Sequence, residues 1–433
     1  MRDMWLIRWS VVLVAGAGLA ACAMDATEGD DDYTWADSGG GKADGANGGE
    51  QIAATGLAFD LAAMTGTATI TLETPGNVAL EVEGLTIASV RDDRGNRHYK
   101  LADGKLLVTH VRGDLVVDYG FAQQTMANGL LPGGSTVIWP YFCGNLFPCH
   151  SQPADGTTFD LALTSIPAAA RAVYPAEIAS EAPPYMIAWA VGDYTKVALG
   201  TTDAGTHVSV SYLPEGKTAA LTGTKHLAAI FDWYEKHLGP YAFGPDVGSV
   251  SVVWGEGLYG GMEHHPLWHV ASDAMNDEVT HAHEAAHGWF GDGIRLRCWE
   301  DFVLSEGTVS YLAARSIGQV EGADAEAAVW SAYGGDLRSA LHAGGAPAWP
   351  EGCNKIDIIK DNLFTDIPYM EGAYFYKDVA AKVGPEVLDG VLARFYVAHV
   401  GQAAGMQDMI DAIKADTGFD PSALVESRLR KKF

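Results

Sequence analysis

The segment from His281 to Tyr311 constrains this chain most, because it joins a helical pattern to a set of metal-binding side chains. His283 and His287 lie four positions apart, so a helix presents both imidazoles on one face, where a single ion can bind them. Glu284, beside the first histidine, is placed to act as a water-activating base. Glu306 follows in the apolar helical pattern LSEGTVSYL and supplies a third ligand. The segment predicts a catalytic zinc site with one coordination position left open for water.

A pattern of two spaced histidines can also arise by chance, so the surrounding residues must support it. Ala285 and Ala286 favour a helix between the histidines, and GWFGDG supplies a glycine stop after the second one. A structural zinc site would more often use four protein ligands with cysteines among them. The nearby Cys298 has no CxxC partner, so the sequence favours a catalytic metal over a structural one.

Further motifs around this segment resemble the gluzincin aminopeptidases, the family of aminopeptidase N and the leukotriene hydrolase. CWEDFVLSEGTVSYL resembles the family stretch W-x-D-x-x-L-x-E-G, with Ser305 where asparagine is usual. GGMEHHP, residues 260–266, resembles the family's G-x-M-E-N, with His264 replacing asparagine. The resemblance implies that Glu263 binds the free α-amino group of a substrate. It places Gly260, Gly261 and Met262 in the same substrate-binding run.

A third motif, IPYMEGAYFY, resembles the family's P-Y-x-K-G run. The resemblance gives Tyr369 the role of stabilising the tetrahedral intermediate, although Glu371 stands where the family has lysine. His264 and His265 lie on a loop and are predicted to be solvated polar residues, and the alternative is that they line the cleft. His281 lies on another side of the helix from His283, so we expect it to be a packing or surface residue.

The resemblance extends more faintly into the N-terminal half, where residues 147–167 look like the family's F-P-C-x-D-x-P run. Family members carry a glutamine or glutamate shortly before that run, as a second partner of the substrate amine. Residues 135–141 read STVIWPY and offer no such group. Larger members also continue into a helical domain that covers the cavity, which this chain does not match. We therefore expect a more open cleft.

The fold class expected is α+β and multidomain. Residues 52–212 alternate short apolar runs with glycine and aspartate turns, which predicts an N-terminal antiparallel β domain. Residues 213–433 contain mainly helical patterns such as KHLAAIFDWYEKHLG and EVLDGVLARFYVAHV. The resemblance implies that this second part is a thermolysin-like catalytic domain, mostly helical and zinc-binding.

The N-terminal residues predict export from a bacterial cell. Residues 1–21 combine two arginines with a short apolar stretch, as a signal peptide does. Leu19 to Cys22 read LAAC, which resembles the bacterial lipobox and implies that Cys22 is acylated after cleavage. The alternative is an ordinary signal peptide with an incidental cysteine. Residues 22–51 are acidic and glycine-rich, so we expect a disordered tether that holds a cell-envelope lipoprotein away from its membrane.

If Cys22 carries lipid, four cysteines remain, an even number in an oxidising compartment. Cys143 and Cys149 are close enough in sequence to close a small loop. Cys298 would then pair with Cys353 by elimination. The alternative is four unpaired buried thiols.

The formal net charge of −27 restricts the partners of this chain. Such a surface repels nucleic acid and anionic lipid headgroups, so membrane contact is expected through the N-terminal lipid only. It attracts the positively charged amino end of a peptide. The sequence as a whole predicts a zinc metallopeptidase, in the first place an aminopeptidase acting on peptides with one zinc ion per chain. The alternatives are a zinc endopeptidase with an open cleft, or a non-catalytic zinc-binding surface lipoprotein.

Overall fold

The structure is a computed structural model that describes residues 51–125, 128–254 and 260–432. The predicted signal peptide, Cys22 and nearly all of the predicted tether lie outside the described residues. Within them, strands dominate the N-terminal half and helices the C-terminal half, as the sequence predicts. No helix in the described ranges has the combination of length and hydrophobicity that crossing a lipid bilayer requires.

The N-terminal half is built on a seven-stranded sheet with the strand order β13-β11-β1-β2-β8-β4-β5. The strand β2 shows why this region forms a sheet, because in TGTATITL every second residue is buried and the threonines between them face outward. The pairing is antiparallel apart from the parallel pair β1 and β11. The strands of this half are β1 (Ile52–Asp60), β2 (Thr65–Leu72), β3 (Val78–Glu81), β4 (Thr86–Asp92), β5 (Gly95–Asn96), β6 (Lys100–Ala102), β7 (Lys105–Val108), β8 (Leu115–Gly120), β9 (Gly129–Leu130), β10 (Thr136–Val137), β11 (Thr157–Thr164), β12 (Arg171–Val173), β13 (Glu177–Ala182) and β14 (Ala190–Gly192).

The C-terminal half combines a five-stranded sheet, ordered β15-β16-β17-β19-β18, with a group of helices. Its strands are β15 (Thr195–Thr201), β16 (His207–Tyr212), β17 (Asp246–Val252), β18 (Gly261–Met262), β19 (Leu267–Ala271), β20 (Arg295–Leu296) and β21 (Ala403–Ala404). Its helices are α1 (Lys217–Gly223), α2 (Leu227–Leu238), α3 (Glu278–Ala286), α4 (Phe302–Glu321), α5 (Ala323–Ala343), α6 (Asp366–Val383), α7 (Pro385–His399), α8 (Met406–Thr417) and α9 (Ser422–Leu424).

The predicted domain boundary at residue 212 is wrong. The strands β15 and β16 pair with β17 in the five-stranded sheet, so they belong to the helical half of the molecule. The β16–β17 pair is parallel and is connected through α1 and α2, as a crossover between parallel strands requires. The alternating pattern identified both strands but could not show which sheet they join. The boundary therefore lies between β14 and β15.

A buried arginine ties the two halves together close to the metal-binding helices. Arg295, in β20, donates from Nε to the Ala154 carbonyl at 3.0 Å and from Nη1 to the Glu181 carbonyl at 3.1 Å. Its Nη2 also pairs with the Glu181 carboxylate at 3.0 Å. Because the guanidinium is fully buried, these contacts fix one wall of the β domain against the helical half.

Candidate metal centre

Two helices present the predicted metal ligands. The first, α3, begins at Glu278, and the Asp277 side chain caps it by accepting from the backbone N–H groups of Val279 and Thr280. His283 lies inside this helix and His287 at its C-terminal cap. Glu306 lies in the first turns of α4, which packs against α3. The two helices thus bring together residues that the sequence separates by a loop.

The three predicted ligands meet at one point. His283 Nε2 is 3.1 Å from Glu306 Oε2, His287 Nε2 is 3.5 Å from the same oxygen, and the two imidazole nitrogens are 3.3 Å apart. Two imidazole nitrogens and one carboxylate oxygen are a donor set that zinc binds in catalytic sites. The donor atoms therefore fit the metal that the sequence predicts.

Hydrogen bonds hold the other nitrogen of each imidazole. His287 Nδ1 is 3.0 Å from the Phe290 carbonyl, and His283 Nδ1 is 3.4 Å from Ser310 Oγ. When such a ring is neutral and its Nδ1 donates to a carbonyl, Nε2 carries the lone pair that a metal ion can bind. Ser305 Oγ also lies 3.2 Å from His287 Nδ1, at the position where the family pattern has asparagine. These contacts fix the orientation of the rings.

Three carboxylates lie around the ligands, and no arginine or lysine in the described part of the chain pairs with them. Burial raises the pKa of Glu284 well above its ordinary value, and Glu284 Oε2 has no hydrogen-bond partner among the described residues. Burial likewise raises the pKa of Glu263 to about 7. Single ligand atoms of Glu263, Glu284 and His287 all lie within 4.8 Å of one another. The predicted base and the predicted amine-binding group therefore border the metal ligands.

Asp292 is the third of these carboxylates, and the sequence analysis missed it. It is fully buried, and neither carboxylate oxygen has a hydrogen-bond partner in the described part of the chain. Burial raises its pKa well above the ordinary value, and the charges of Glu263, Glu284 and Glu306 act in the same direction. The motif GWFGDG predicts a glycine stop, and its aspartate, so close to a metal-binding helix, is the signal that points to this third carboxylate.

The charges of the ligands balance one another. Burial alone would raise the pKa of Glu306, but the neighbouring His287 and His283 lower it to about 2. Burial alone would lower the pKa of His287, whereas Glu306 and the other carboxylates raise it well above the ordinary value. Glu306 is thus ionised at neutral pH, as a metal ligand must be.

Tyr369 lies against the metal site, in the first turn of α6. Its ring stacks on that of His283, with centroids 5.8 Å apart and an angle of 16° between the planes. Burial raises the pKa of its hydroxyl well above 10, so the group stays protonated and can donate a hydrogen bond. Helices α4 and α6 approach closely at Gly307 and Gly372, where a Cβ on Gly307 would lie 2.6 Å from the other Cα. This close approach brings Tyr369 near Glu306.

Glu371, which replaces the lysine of the family pattern, forms an ion pair. Its carboxylate pairs with Arg428 Nη1 at 3.2 Å, and Arg428 Nε also pairs with Asp378 at 2.9 Å. The chain segment after α9 is thereby fastened to the helix that carries Tyr369.

The strand β18 brings the predicted substrate-binding run alongside the metal helix. Gly261 and Met262 pair with Val270 and His269 in β19. A Cβ on Gly261 would lie 2.2 Å from a carboxylate oxygen of Glu284, so only glycine lets the strand pass this close. Gly260 precedes the strand and Glu263 follows it.

The prediction that His264 and His265 are solvated is wrong, because both side chains are buried. Burial lowers the pKa of each ring to about 3, so both are neutral at physiological pH. His281 is also buried, with Nδ1 2.9 Å from Ser249 Oγ and Nε2 2.9 Å from the Met275 carbonyl. It has the packing role that was expected.

The structure contains both predicted disulfides, Cys143–Cys149 and Cys298–Cys353. The second bond joins the connection between two metal ligands to the segment that precedes Tyr369.

Residues 135–141, which lack the expected amine-binding side chain, contribute an aromatic group instead. The ring of Trp139 is 5.8 Å from that of Phe302 and 4.7 Å from that of Phe364. Phe302 in turn lies 5.6 Å from Tyr369. An apolar wall therefore stands behind the tyrosine on the side of the β domain.

A β domain joined to a helical domain, with a metal centre of two histidines and one glutamate, defines the two-domain architecture of zinc metallopeptidases. Residues 261–427 match the Peptidase family M1 domain.

Comparison with curated proteins agrees with this assignment. The chain is 26% identical over 307 residues to leucine aminopeptidase 2 of Emericella nidulans, which covers 63% of this chain and 47% of that protein. It is 26% identical to aminopeptidase M1 of Arabidopsis thaliana, over 66% of this chain and 35% of that protein. The chain thus spans about half the length, or less, of these curated relatives.

Solved structures share the fold over a larger part of the molecule. An M1 zinc metallopeptidase of Deinococcus radiodurans, bound to a Tyr-Ser-Ala substrate, matches with a TM-score of 0.72 and 18% identity, covering 89% of this chain and 95% of that one. Yeast LTA4 hydrolase matches with a TM-score of 0.73 and 18% identity, covering 88% of this chain and 68% of that one. Both halves of this chain therefore occur together in solved structures of other proteins.

Proposed function

We propose that the protein is a zinc-dependent aminopeptidase that removes residues from the free amino end of peptides, with one zinc ion per chain. The observation that carries the proposal is the placement of two buried carboxylates, Glu284 and Glu263, beside the metal ligands. One is suited to activate water and the other to bind an ammonium group. The family match and the names of the relatives support the same activity.

His283, His287 and Glu306 would hold the zinc ion. When bound there, zinc supplies a Lewis acid that polarises the scissile carbonyl and lowers the pKa of water. Glu284 accepts the proton of the attacking water at its carboxylate and passes it to the leaving amine. Its burial favours this exchange, because a carboxylate with a raised pKa holds a proton more readily.

Two further side chains act on the substrate. The Tyr369 hydroxyl donates to the oxygen that gains negative charge, where a hydrogen bond is strongest on the way to the transition state. Glu263 accepts from the substrate ammonium group, and the resulting ion pair fixes the first peptide bond next to Glu284. Neither role requires a residue from another chain.

The alternative is an endopeptidase with the same metal chemistry, and one observation favours it. Trp139 occupies the segment where the resemblance leads us to expect a second amine-binding side chain, and it packs on Phe302 and Phe364. Glu263 then binds the ammonium group alone. A weaker anchor allows longer or blocked peptides to compete for the cleft.

One experiment separates the candidates. We expect purified protein to contain one zinc ion per chain and to hydrolyse a free peptide at least about a hundredfold faster than its N-acetylated form, because acetylation leaves a buried carboxylate unpaired. Equal cleavage of both forms at internal bonds would establish the endopeptidase. Stoichiometric zinc without any hydrolysis would establish the non-catalytic alternative.

We further propose that the protein is a bacterial lipoprotein of the cell envelope, anchored through Cys22. The support is the LAAC sequence at the end of the apolar stretch and the acidic, glycine-rich run that follows it. Labelling of cells with a fatty acid should mark the wild type and not Cys22→Ser, and the variant should become soluble. An unlabelled wild type would contradict the anchor.

A further inference from the structure

The two histidines that follow Glu263 are buried and bonded to backbone groups on both sides of the metal helix. His264 Nδ1 lies 2.6 Å from the Tyr185 carbonyl, so it donates a hydrogen bond to that oxygen. His265 Nε2 lies 2.7 Å from the Glu284 carbonyl, and its Nδ1 lies 2.7 Å from Tyr241 Oη. These three hydrogen bonds connect the segment that follows Glu263 to Tyr185, to Tyr241 and to the backbone of α3.

The contact of His265 with Glu284 replaces a hydrogen bond that the helix lacks. In a continuing α-helix the Glu284 carbonyl would accept from the N–H of Gly288. Here α3 ends, and that N–H bonds to the Ala285 carbonyl instead. His265 therefore supplies the donor that the terminal carbonyl needs.

Tyr241 determines which nitrogen of His265 carries the hydrogen. A carbonyl can only accept, so Nε2 must be protonated to bond to Glu284. In the neutral ring Nδ1 then has a lone pair, and the Tyr241 hydroxyl donates to it. The hydroxyl thus stabilises the one tautomer that can reach the backbone of the catalytic glutamate.

His264 makes a comparable connection on the other side of the metal helix. His264 bonds to the carbonyl of Tyr185, and the hydroxyl of the same tyrosine lies 3.2 Å from the Gly291 carbonyl, to which it donates. Gly291 belongs to the turn that follows the ligand His287. The Glu263 segment is therefore attached to the metal helix before its end and to the turn after its end.

There is no room for the strand and the helix to shift independently. A Cβ on Gly288 would lie 2.6 Å from the Tyr241 ring and 3.1 Å from His265 Cε1. On the other side, Gly261 contacts the Glu284 carboxylate, as described above. The spacing between the Glu263 carboxylate and the metal ligands is set by these packed contacts.

We infer that His264 and His265 are positioning residues that fix the distance from Glu263 to Glu284 and so restrict cleavage to the first peptide bond. This inference rests on the proposed function, because it assumes that Glu263 binds the substrate ammonium group. A free peptide held at this distance presents its first carbonyl to Glu284. If the distance varies, the anchored amine no longer selects one bond.

Two variants test the inference while keeping an aromatic ring at each position. Tyr241→Phe removes the hydroxyl that selects the His265 tautomer, and His265→Phe removes both hydrogen bonds. Tyr234→Phe is the matched control, because the Tyr234 hydroxyl donates to another carbonyl of α3, that of Ala282, at 2.9 Å. For each protein we would measure zinc content, thermal unfolding, and kcat and KM on a free peptide and its N-acetylated form.

We expect both test variants to keep zinc but to lose about tenfold to a hundredfold of the preference for the free peptide, mainly through a lower kcat on it. Mass spectrometry should then detect cuts at the second bond. The control should keep the wild-type preference and the single cut. If His265→Phe does not fold, Tyr241→Phe decides the result.

Wild-type preference in a zinc-containing Tyr241→Phe protein would overturn the inference and leave the proposed function intact. An equal loss in Tyr234→Phe would also overturn it, because the effect would then come from general damage to α3. Absence of the preference in the wild type itself would overturn the proposed function, and this inference with it. The wild-type measurement therefore distinguishes the two failures.

Discussion

Carboxylates in the β domain and at the metal centre differ in the groups around them, which change their pKa in opposite directions. In the β domain, Asp92 accepts from Arg94 Nη2 at 2.8 Å and from the Arg112 N–H at 3.1 Å. Burial acts against ionisation, but these donors lower the pKa of Asp92 to about 2. At the metal centre, burial raises the pKa of Glu263 and Glu284, and no arginine or lysine is paired with either among the described residues.

This difference separates charges that stabilise the fold from charges that serve a reaction. Asp92 accepts hydrogen bonds from Arg94 and Arg112 of the same domain, so its ionised form contributes to stability. The ionised form of the carboxylates around the metal ligands is favourable only when a cation approaches. The proposed function provides two such cations, the zinc ion and the substrate ammonium group. We therefore expect substitutions in the first region to change stability and in the second to change metal binding or turnover.

Removal of a metal ligand should change the protein most. His287→Ala and Glu306→Ala should each lose zinc and all measurable hydrolysis, because each removes one of three protein ligands. His281→Gln, on the same helix but outside the ligand set, should keep the metal. Metal analysis of the purified variants gives the answer, and full zinc content in both alanine variants would refute the site.

Glu284→Gln should lower kcat by about three orders of magnitude or more while zinc stays bound. The amide keeps the shape of the side chain but cannot accept the proton of water. Steady-state kinetics and metal content, measured on the same preparation, test this. Glu278→Gln, at the start of the same helix, is the control. Turnover like that of the wild type in Glu284→Gln would remove this residue as the base.

Tyr369→Phe should reduce kcat by about a hundredfold to a thousandfold with little change in KM, because the lost hydrogen bond is made mainly in the transition state. Tyr374→Phe, whose hydroxyl donates to the Trp330 carbonyl at 3.1 Å, should behave like the wild type. A change in KM alone would instead indicate that Tyr369 only binds the ground state.

Removal of the Asp92 charge should affect only the stability of the β domain and not the metal centre. Asp92→Asn should lower the free energy of unfolding by about 2 kcal/mol at neutral pH and leave zinc content unchanged. The pKa of Asp92 is depressed in the folded state, so its contribution is complete above about pH 4 and disappears as the pH falls through about 2. Urea unfolding of both proteins from pH 7 downward should show the difference shrinking below pH 4. A difference that is constant with pH would show that the charge is not responsible.

Local spacing explains which features the sequence could predict. His283 and His287 are related by the helical repeat, and Glu306 lies on the next strongly apolar helix, so their meeting followed from periodicity. Cys143 and Cys149 were paired correctly because they are neighbours in the chain. The substrate-side assignments of Glu263 and Tyr369 came from motif resemblance, and the structure places both residues beside the ligands.

Features that depend on packing between distant parts of the chain could not be predicted from the sequence. The alternation in β16 is the same whichever sheet the strand joins, so the boundary at residue 212 was misplaced. The burial of His264 and His265 depends on Tyr185 and Tyr241, which no local pattern connects to them. Short polar runs predict solvent exposure only when no other segment covers them.

The connection of Arg428 to Glu371 has a consequence for the timing of biosynthesis. Ribosomes add roughly 5–20 residues per second, so on the order of ten seconds separate the synthesis of Glu306 from that of Arg428. The strand β21, which pairs with β20 beside the metal helix, is also made late. A nascent chain therefore holds all its metal ligands well before the helix of Tyr369 is fastened in place. The proposed hydrolytic site is therefore complete only after residue 428 has been made and has paired with Glu371.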